Sequence, residues 1–311
     1  MAVWEPPFGD KQRAMYRSDS RFMLAVGPRA CGKTWGLENL VFQHLWRTNP
    51  SRFAIICKTT RAGSLGVWPE LTTTIYDIWR EAGVSSEVAE FGWTVTPRTD
   101  PTTKIRHAKL RNRFGGESEL LLFPVERSQE ALDKLLSTQF SGVWISESHL
   151  YESRELFDVA KNQLRLAGVT TAKTRLFCDC NPPEEGTAHW LYEIFYHERH
   201  LPPEKFPEDW DEATREAFLE HQRDLTVFEF SLEDNIFLDP RLARQIRATY
   251  ARNPDDFKRL VATSEGGESW LDRAGSKICF RGVWDPNIHV VGDASSRDET
   301  EWQIMAPSNG S

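Results

Sequence analysis

The chain has no apolar run approaching the roughly 18 residues that crossing a bilayer requires, so nothing in it reads as a membrane span. Its opening stretch, MAVWEPPFGDKQR, lacks a basic start followed by an apolar core, and no secretory leader is expected. Cysteine is sparse: five residues, an odd number without regular spacing. That excludes a disulfide framework and reads as reduced cytosolic thiols. Cys178-x-Cys180 lacks the second pair that a zinc site needs. Positive charge is also short, with 38 Lys and Arg against 46 Asp and Glu and a net charge of −8. This balance argues against a sequence-independent nucleic-acid coat protein, although local basic surfaces govern contact more than the sum does. There is no internal repeat and no low-complexity block.

What is present is the composition of a soluble globular protein, long enough for one large domain with a small appendage. Short β-like runs alternate with helical ones. The strand candidates are Phe22–Val26, Phe53–Cys57, Leu120–Val125, Val143–Ser146, Thr174–Cys180 and Val227–Leu232. Most are apolar on both faces, as in a sheet covered by helices on both sides. Leu37, Leu40, Val41 and Leu45 give one helix an apolar face. Leu156, Val159, Ala160, Leu164 and Ala167 predict another, with Gly168 as its stop. Asp239-Pro240 and Asn253-Pro254 each place a capping side chain before a proline suited to a first helical position. The alternation predicts an α/β fold with a largely parallel sheet. The Pro-rich, acidic stretch Leu201–Asp211 reads as a surface connection, and periodicity fades from about Asn287.

Gly27-Pro28-Arg29-Ala30-Cys31-Gly32-Lys33-Thr34 fits the pattern G-x-x-x-x-G-K-S/T, with a strand before it and a helix after it. The glycines let backbone N–H groups converge on phosphates, Lys33 reaches the β- and γ-phosphates, and the Thr34 hydroxyl ligates Mg²⁺. Arg29 within this loop is either a reporter beside the γ-phosphate or a surface arginine. A nucleotide hydrolase also needs a carboxylate to activate water, and Glu147 stands at the tip of the apolar run Val143-Trp144-Ile145. The residue before it is Ser146, where an Asp would add charge near Mg²⁺. Glu147 can also be read as an acid starting a helix. Asn181 follows the run Thr174–Cys180 and either senses the γ-phosphate or forms an ordinary Asn-Pro turn with Pro182 and Pro183. Gln12, upstream of the first strand, offers a donor and an acceptor to an adenine edge.

Lys104 to Arg113 carries five Lys or Arg (Lys104, Arg106, Lys109, Arg111 and Arg113) and His107. It is expected to form one arm of a β-hairpin turning near Gly115-Gly116. Two readings stay open: a sequence-independent grip on DNA phosphates, or an edge strand protected by its charges.

Several separate stretches, KQ…GPRACGKT, STQFSGVWISES, CDCNPPEEGTAHWLYEIF and FSLEDNIFLDP, together resemble the large terminase subunit of tailed bacteriophages. The resemblance runs from about Phe8 to His289, with the Asn-Pro-Pro…His-Trp and Asp-Asn-x-x-Leu segments its most specific parts. It implies an α/β P-loop NTPase of the additional-strand catalytic-glutamate type, a mostly parallel sheet flanked by helices with a small helical lid. Residues 1–232 would be the ATPase core, 233–285 the lid and 286–311 a linker or tail. The implied activity is Mg²⁺-dependent ATP hydrolysis driving double-stranded DNA into a procapsid. Gly27 to Thr34 resembles the Walker A loop, Glu147 the Walker B catalytic glutamate, Gln12 the adenine-recognition glutamine and Asn181 the coupling motif. The implied partners are the portal protein, the small terminase subunit and further copies in a ring, usually a pentamer, in the host cytoplasm. A neighbouring subunit would donate an arginine, for which Arg111, Arg127 and Lys134 are candidates. Full terminases continue into a nuclease. Asp293, Asp298 and Glu299 read as solvated acids in a polar tail, so no DNA cleavage is expected of this chain. The competing readings are another DNA-dependent P-loop ATPase of helicase type, and a degenerate nucleotide-binding assembly module.

Overall fold

A computed structural model describes residues 6–59, 63, 66–81, 93–102, 104–125, 129–252 and 257. Five apolar residues, Phe22–Val26, form β1 and are buried on both faces. Only a central strand under two layers allows that. β1 is followed by α2 (Lys33–Arg47) and preceded by α1 (Asp10–Arg17). The further strands are β2 (Ser51–Cys57), β3 (Trp93–Thr99), β4 (Arg106–Arg111), β5 (Glu117–Pro124), β6 (Gly142–Ile145), β7 (Arg175–Cys180) and β8 (Leu225–Glu229). The further helices with a role here are α3 (Tyr76–Glu81), α4 (Gln129–Ser137), α5 (Glu155–Asn162), α6 (Glu212–Asp224) and α7 (Pro240–Tyr250).

One eight-stranded sheet runs β3-β4-β5-β2-β6-β7-β1-β8. Strands β5 through β8 in that order are parallel, and β3 and β4 add an antiparallel end. β7 stands between β1 and β6, so a strand intervenes between the one that carries the Gly-Lys-Thr loop and the one that carries Glu147. This is the additional-strand arrangement that the family resemblance implied.

Strand alternation sorts the core into two layers. Met23 and Ala25 of β1 join Leu37, Leu40, Val41 and Leu45 of α2 on one face. Phe22, Leu24 and Val26 face the other way, toward Phe157 and Ala160 of α5 and toward Phe195. Each fully buried leucine or phenylalanine contributes about 1.5–3 kcal/mol by leaving water. Gly142 opens β6 against an aromatic ring: a Cβ there would sit 2.3 Å from Phe53 Cε2 and 3.3 Å from His44 Nε2. Gly142→Ala is expected to destabilise the fold by about 1–3 kcal/mol through this overpacking. Urea denaturation checks it, and an unchanged midpoint would mean that the Phe53 ring yields freely.

Several boundaries differ from the sequence reading. α5 ends at Asn162 rather than continuing to Ala167. The Gln163 carbonyl accepts from Phe140 N–H, and Leu166 N–H donates to the Phe140 carbonyl, so the chain leaves the helix to pair with the segment entering β6. Gly168, with a left-handed φ of 85°, sits in a turn of that loop instead of stopping the helix. β8 spans Leu225–Glu229, and Leu232 lies in a turn after it. Within the acidic, Pro-rich connection, Phe206 is buried and packs against Trp210 and Phe218. β3 has no counterpart among the expected strands.

No helix among the described residues is long and apolar enough to cross a membrane. Of the lid expected over residues 233–285, the described part is α7 and its approach. Arg127, Asn253-Pro254 and the tail with Asp293, Asp298 and Glu299 lie outside the described residues.

Candidate functional site

The loop after β1 is pinned from three sides. Gly27 N–H donates to the Cys180 carbonyl, which ties the loop's start to the end of β7 at 3.2 Å. Gln12 Nε2 donates to the Gly32 carbonyl at 2.8 Å, and its Oε1 accepts from Gly9 N–H at 2.9 Å. Asn235 Nδ2 donates to the Ala30 carbonyl at 2.7 Å. The loop therefore takes its shape from α1 on one side and the segment after β8 on the other. Gln12 is fully buried, and both ends of its amide are spent on the backbone. Ala30 (φ 64°) and Gly32 (φ 85°) are both left-handed. At Gly32 a side chain would be strained, and its Cβ would stand 2.5 Å from Gln12 Nε2.

Gly32 caps α2, which puts Lys33 and Thr34 in the first helical turn. Unpaired N–H groups and the helix dipole make that end attractive to anions. Lys33 is buried, and its Nζ donates to the Gly27 carbonyl at 3.2 Å, the Pro28 carbonyl at 3.1 Å and Asn181 Oδ1 at 3.1 Å. Asn181 thus sits directly on the cradle's lysine, at the end of β7.

β6 delivers Glu147. The strand ends at Ile145, Ser146 N–H donates to the Ile56 carbonyl at 2.9 Å, and Glu147 turns into a left-handed conformation (φ 51°, ψ 48°). A non-glycine residue held there stores of order 1–3 kcal/mol, which the surroundings must supply. Asp179 supplies part of it: its Oδ1 accepts from Glu147 N–H at 3.1 Å and from Trp144 Nε1 at 2.8 Å. Sequence reasoning did not single out Asp179. Its signal was a charged residue inside an otherwise apolar strand, LFCDC, whose five residues are all buried.

These parts meet at the C-terminal ends of the parallel strands, where open α/β sheets bind ligands. A cavity of about 630 Å³ is lined there by Arg29, Thr34, Ser146, Glu147, Asp179 and Asn181, among others. Arg29 and Glu147 are exposed to it. Glu38, one turn beyond Thr34 on α2, also lines it and is buried. Burial holds the Glu38 carboxyl well above the usual carboxylate range, and Glu70 and Asp179 push the same way. Burial also raises Asp179, with Glu147 adding to it, against the opposing pull of Lys33 and of the bonds from Trp144 and Glu147 N–H. The cavity therefore gathers the carboxyls of Glu38, Glu70, Glu147 and Asp179 beside the cations Arg29, Lys33 and Lys58. Cys31 in the loop is buried, and burial raises its thiol, so it is poorly suited to act as a nucleophile.

The model of the family described as phage terminase large subunit matches residues 111–264. Over that stretch the chain matches the phage terminase large-subunit family. Solved terminases agree on the fold. The large terminase of a thermophilic bacteriophage aligns at TM-score 0.59 and 16% identity, over 82% of this chain and 53% of its own. The same terminase in complex with ATP-gamma-S aligns at TM-score 0.55 and 16% identity, over 82% of this chain and 52% of its own. The large terminase ATPase domain of Thermus phage P74-26 aligns at TM-score 0.51 and 16% identity, over 83% of this chain and 93% of its own. The chain thus spans about half the length of the first of these terminases and nearly all of the isolated ATPase domain. No curated protein matches it.

In this terminase-like chain the basic stretch does form one arm of a hairpin, β4 paired antiparallel with β5 through a turn at Asn112–Gly116. It is not an edge strand, because β3 pairs along its outer side. Alternation splits its charges. Ala108 and Leu110 point into the core with Arg106 on their side, while His107, Lys109 and Arg111 face the other way. Lys109 is bound by Glu117 at 3.1 Å and Glu119 at 3.8 Å. Lys104 and Arg113, at the two ends of the arm, are exposed. Lys134, on α4, is exposed beside a cavity shared with Arg52, Arg98, His107 and Glu119.

Proposed function

We propose that the chain is an ATP-hydrolysing motor domain that drives double-stranded DNA into a procapsid. The observation that carries this reading is the meeting of Lys33, Glu147 and Asn181 at the ends of β1, β6 and β7, in a chain matching the terminase family. The loop N–H groups and Lys33 take the phosphates, and Glu147 polarises the attacking water. Asn181 reads the γ-phosphate through Lys33. A phosphate drawing Nζ away would release the Asn181 amide, and with it the Pro182-Pro183 turn that leaves β7. Arg29 lies where it can follow the same charge. Gln12 braces the loop through Gly32, so adenine recognition would draw on an amide already in use.

Magnesium fits the donors present. Thr34, Ser146, Glu147 and Asp179 offer hard oxygen groups around the cavity. That suits an ion that keeps most of its water and binds through phosphates and one or two protein groups. When bound it would neutralise phosphate charge, with Thr34 as the direct ligand and Ser146 reached through water.

The DNA, the portal, the small terminase subunit and a ring of copies, proposed to be a pentamer, belong to the same proposal. So do a place in the host cytoplasm docked on the procapsid and an arginine finger from a neighbouring subunit. Lys104, Lys109, Arg111 and Arg113, with Arg106 on the opposite face, are the groups proposed to meet phosphate. The pairing of Lys109 with two glutamates lowers its share.

The test is ATP turnover by the chain with Mg²⁺, with and without double-stranded DNA, across a salt series. Turnover stimulated by DNA of any sequence and lost steeply as salt rises is the expected result. Nucleotide binding without turnover at any protein concentration, with or without DNA, would instead support an assembly module. Failure to bind ATP would sink the reading.

A further inference from the structure

Ser146 stands where a carboxylate is expected and brings no charge. β6 and β7 pair with Trp144 level with Phe177 and Ile145 level with Cys178. Asp179 follows Cys178 as Ser146 follows Ile145, and Glu147 N–H reaches Asp179 Oδ1 just beyond the last register pair. Trp144, Phe177 and Asp179 share the sheet face covered by α2, the helix that carries Thr34. Asp179 is 4% exposed and lines the same cavity as Thr34 and Ser146. Its Oδ1 is occupied by Trp144 Nε1 and Glu147 N–H. Its Oδ2 accepts no hydrogen bond among the described residues.

We propose that Asp179 performs from β7 the duty that Ser146 cannot perform from β6. Oδ1 holds Glu147 in its left-handed turn, and Oδ2 is offered to the water shell of a magnesium ion bound beside Thr34. Asp179 is thus a positioning residue for Glu147 and an outer partner for the metal. A buried carboxylate that spends one oxygen on an indole and a strained backbone beside this cavity, with Lys33 already committed to two loop carbonyls and Asn181, is costly unless a further cation balances it. The inference rests on the nucleotide-site reading above.

The experiment separates charge from brace. Asp179→Asn keeps an Oδ1 acceptor for Trp144 and Glu147 but loses the charge. Mn²⁺ binding to the ADP-loaded chain, followed by electron paramagnetic resonance, is expected to weaken about 10-fold or more, the scale of outer-shell partners. ADP affinity measured in EDTA is expected to stay unchanged. Adding Ser146→Asp to the Asp179→Asn chain is expected to restore Mn²⁺ affinity, which a merely structural role for Asp179 would not allow. Thermal unfolding of each variant checks that the fold persists. If Asp179→Asn does not fold, Ser146→Asp in the parent decides: little change in Mn²⁺ affinity is expected, because Asp179 already supplies the charge, and a gain of about 10-fold or more would show that duty unfilled and overturn the proposal. Mn²⁺ affinity unchanged in a folded Asp179→Asn chain overturns it while leaving the nucleotide site intact. If the parent chain binds no ADP at all, the function reading and this inference fall together.

Discussion

Glu147→Gln is expected to bind ATP as tightly as the parent and to hydrolyse it about 100-fold more slowly or worse, the usual contribution of a general base. The substitution suits the geometry. Glu147 is held by its backbone: its N–H donates to Asp179 Oδ1, and its carbonyl accepts from Leu150 N–H. Glutamine leaves both bonds in place, has nearly the same volume and does not worsen the left-handed strain. What goes is the proton acceptor exposed to the cavity. The effect therefore belongs in kcat, with ATP affinity retained, and steady-state kinetics beside calorimetric binding would separate the two. A kcat reduced only a few-fold would mean that another carboxylate does this work, and Asp179 would be the first to examine. Loss of binding together with kcat would mean that the turn itself had collapsed.

How much of this was legible in the sequence depends on how local each signal is. The placement of the Gly-Lys-Thr loop was, because its eight residues are consecutive and the flanking periodicity fixes its strand and helix. The placement of Glu147 was, because an apolar run of strand type ends just before it and brings it to the same end of the sheet. The order of the sheet came from family likeness and not from periodicity, since nothing local says that β7 lies between β1 and β6. Gln12 was legible as a polar group near the cradle, but not its bond to Gly32, twenty residues away, of which local pattern carries no trace. Asn235 and Asp179 were legible only as residues, not as roles. Asn235 meets Ala30 and Asp179 meets Trp144 across long sequence separations. The over-long α5 shows the reverse error. Leu164 is buried at a spacing that fits a helical face, but it reaches the core from a loop pinned to Phe140. Apolar spacing reports burial, and burial does not by itself fix the backbone.

Lys33→Ala is expected to lower kcat/KM for ATP by about 100-fold or more, the scale of removing a fixed positive group from developing phosphate charge. Two further consequences separate this from simple damage. Lys33 Nζ bridges Gly27, Pro28 and Asn181, so its loss frees the loop carbonyls and the Asn181 amide together. It also removes the cation that holds the Asp179 carboxyl down, so that carboxyl, already raised by burial, should climb further. A folded-state carboxyl raised above its unfolded value destabilises the fold where the unfolded chain would ionise and relieves that penalty as pH falls. The variant should therefore lose stability relative to the parent near neutral pH and recover it toward acid, read by thermal unfolding across a pH series. Lys33→Met, which keeps the side chain's length without its charge, should show the same catalytic loss and the same pH trend. Catalysis restored by Met would assign the lysine to packing and remove the phosphate cradle from the argument. Catalysis lost in both, with the acid recovery present in both, would assign it to charge, shared between the nucleotide and Asp179.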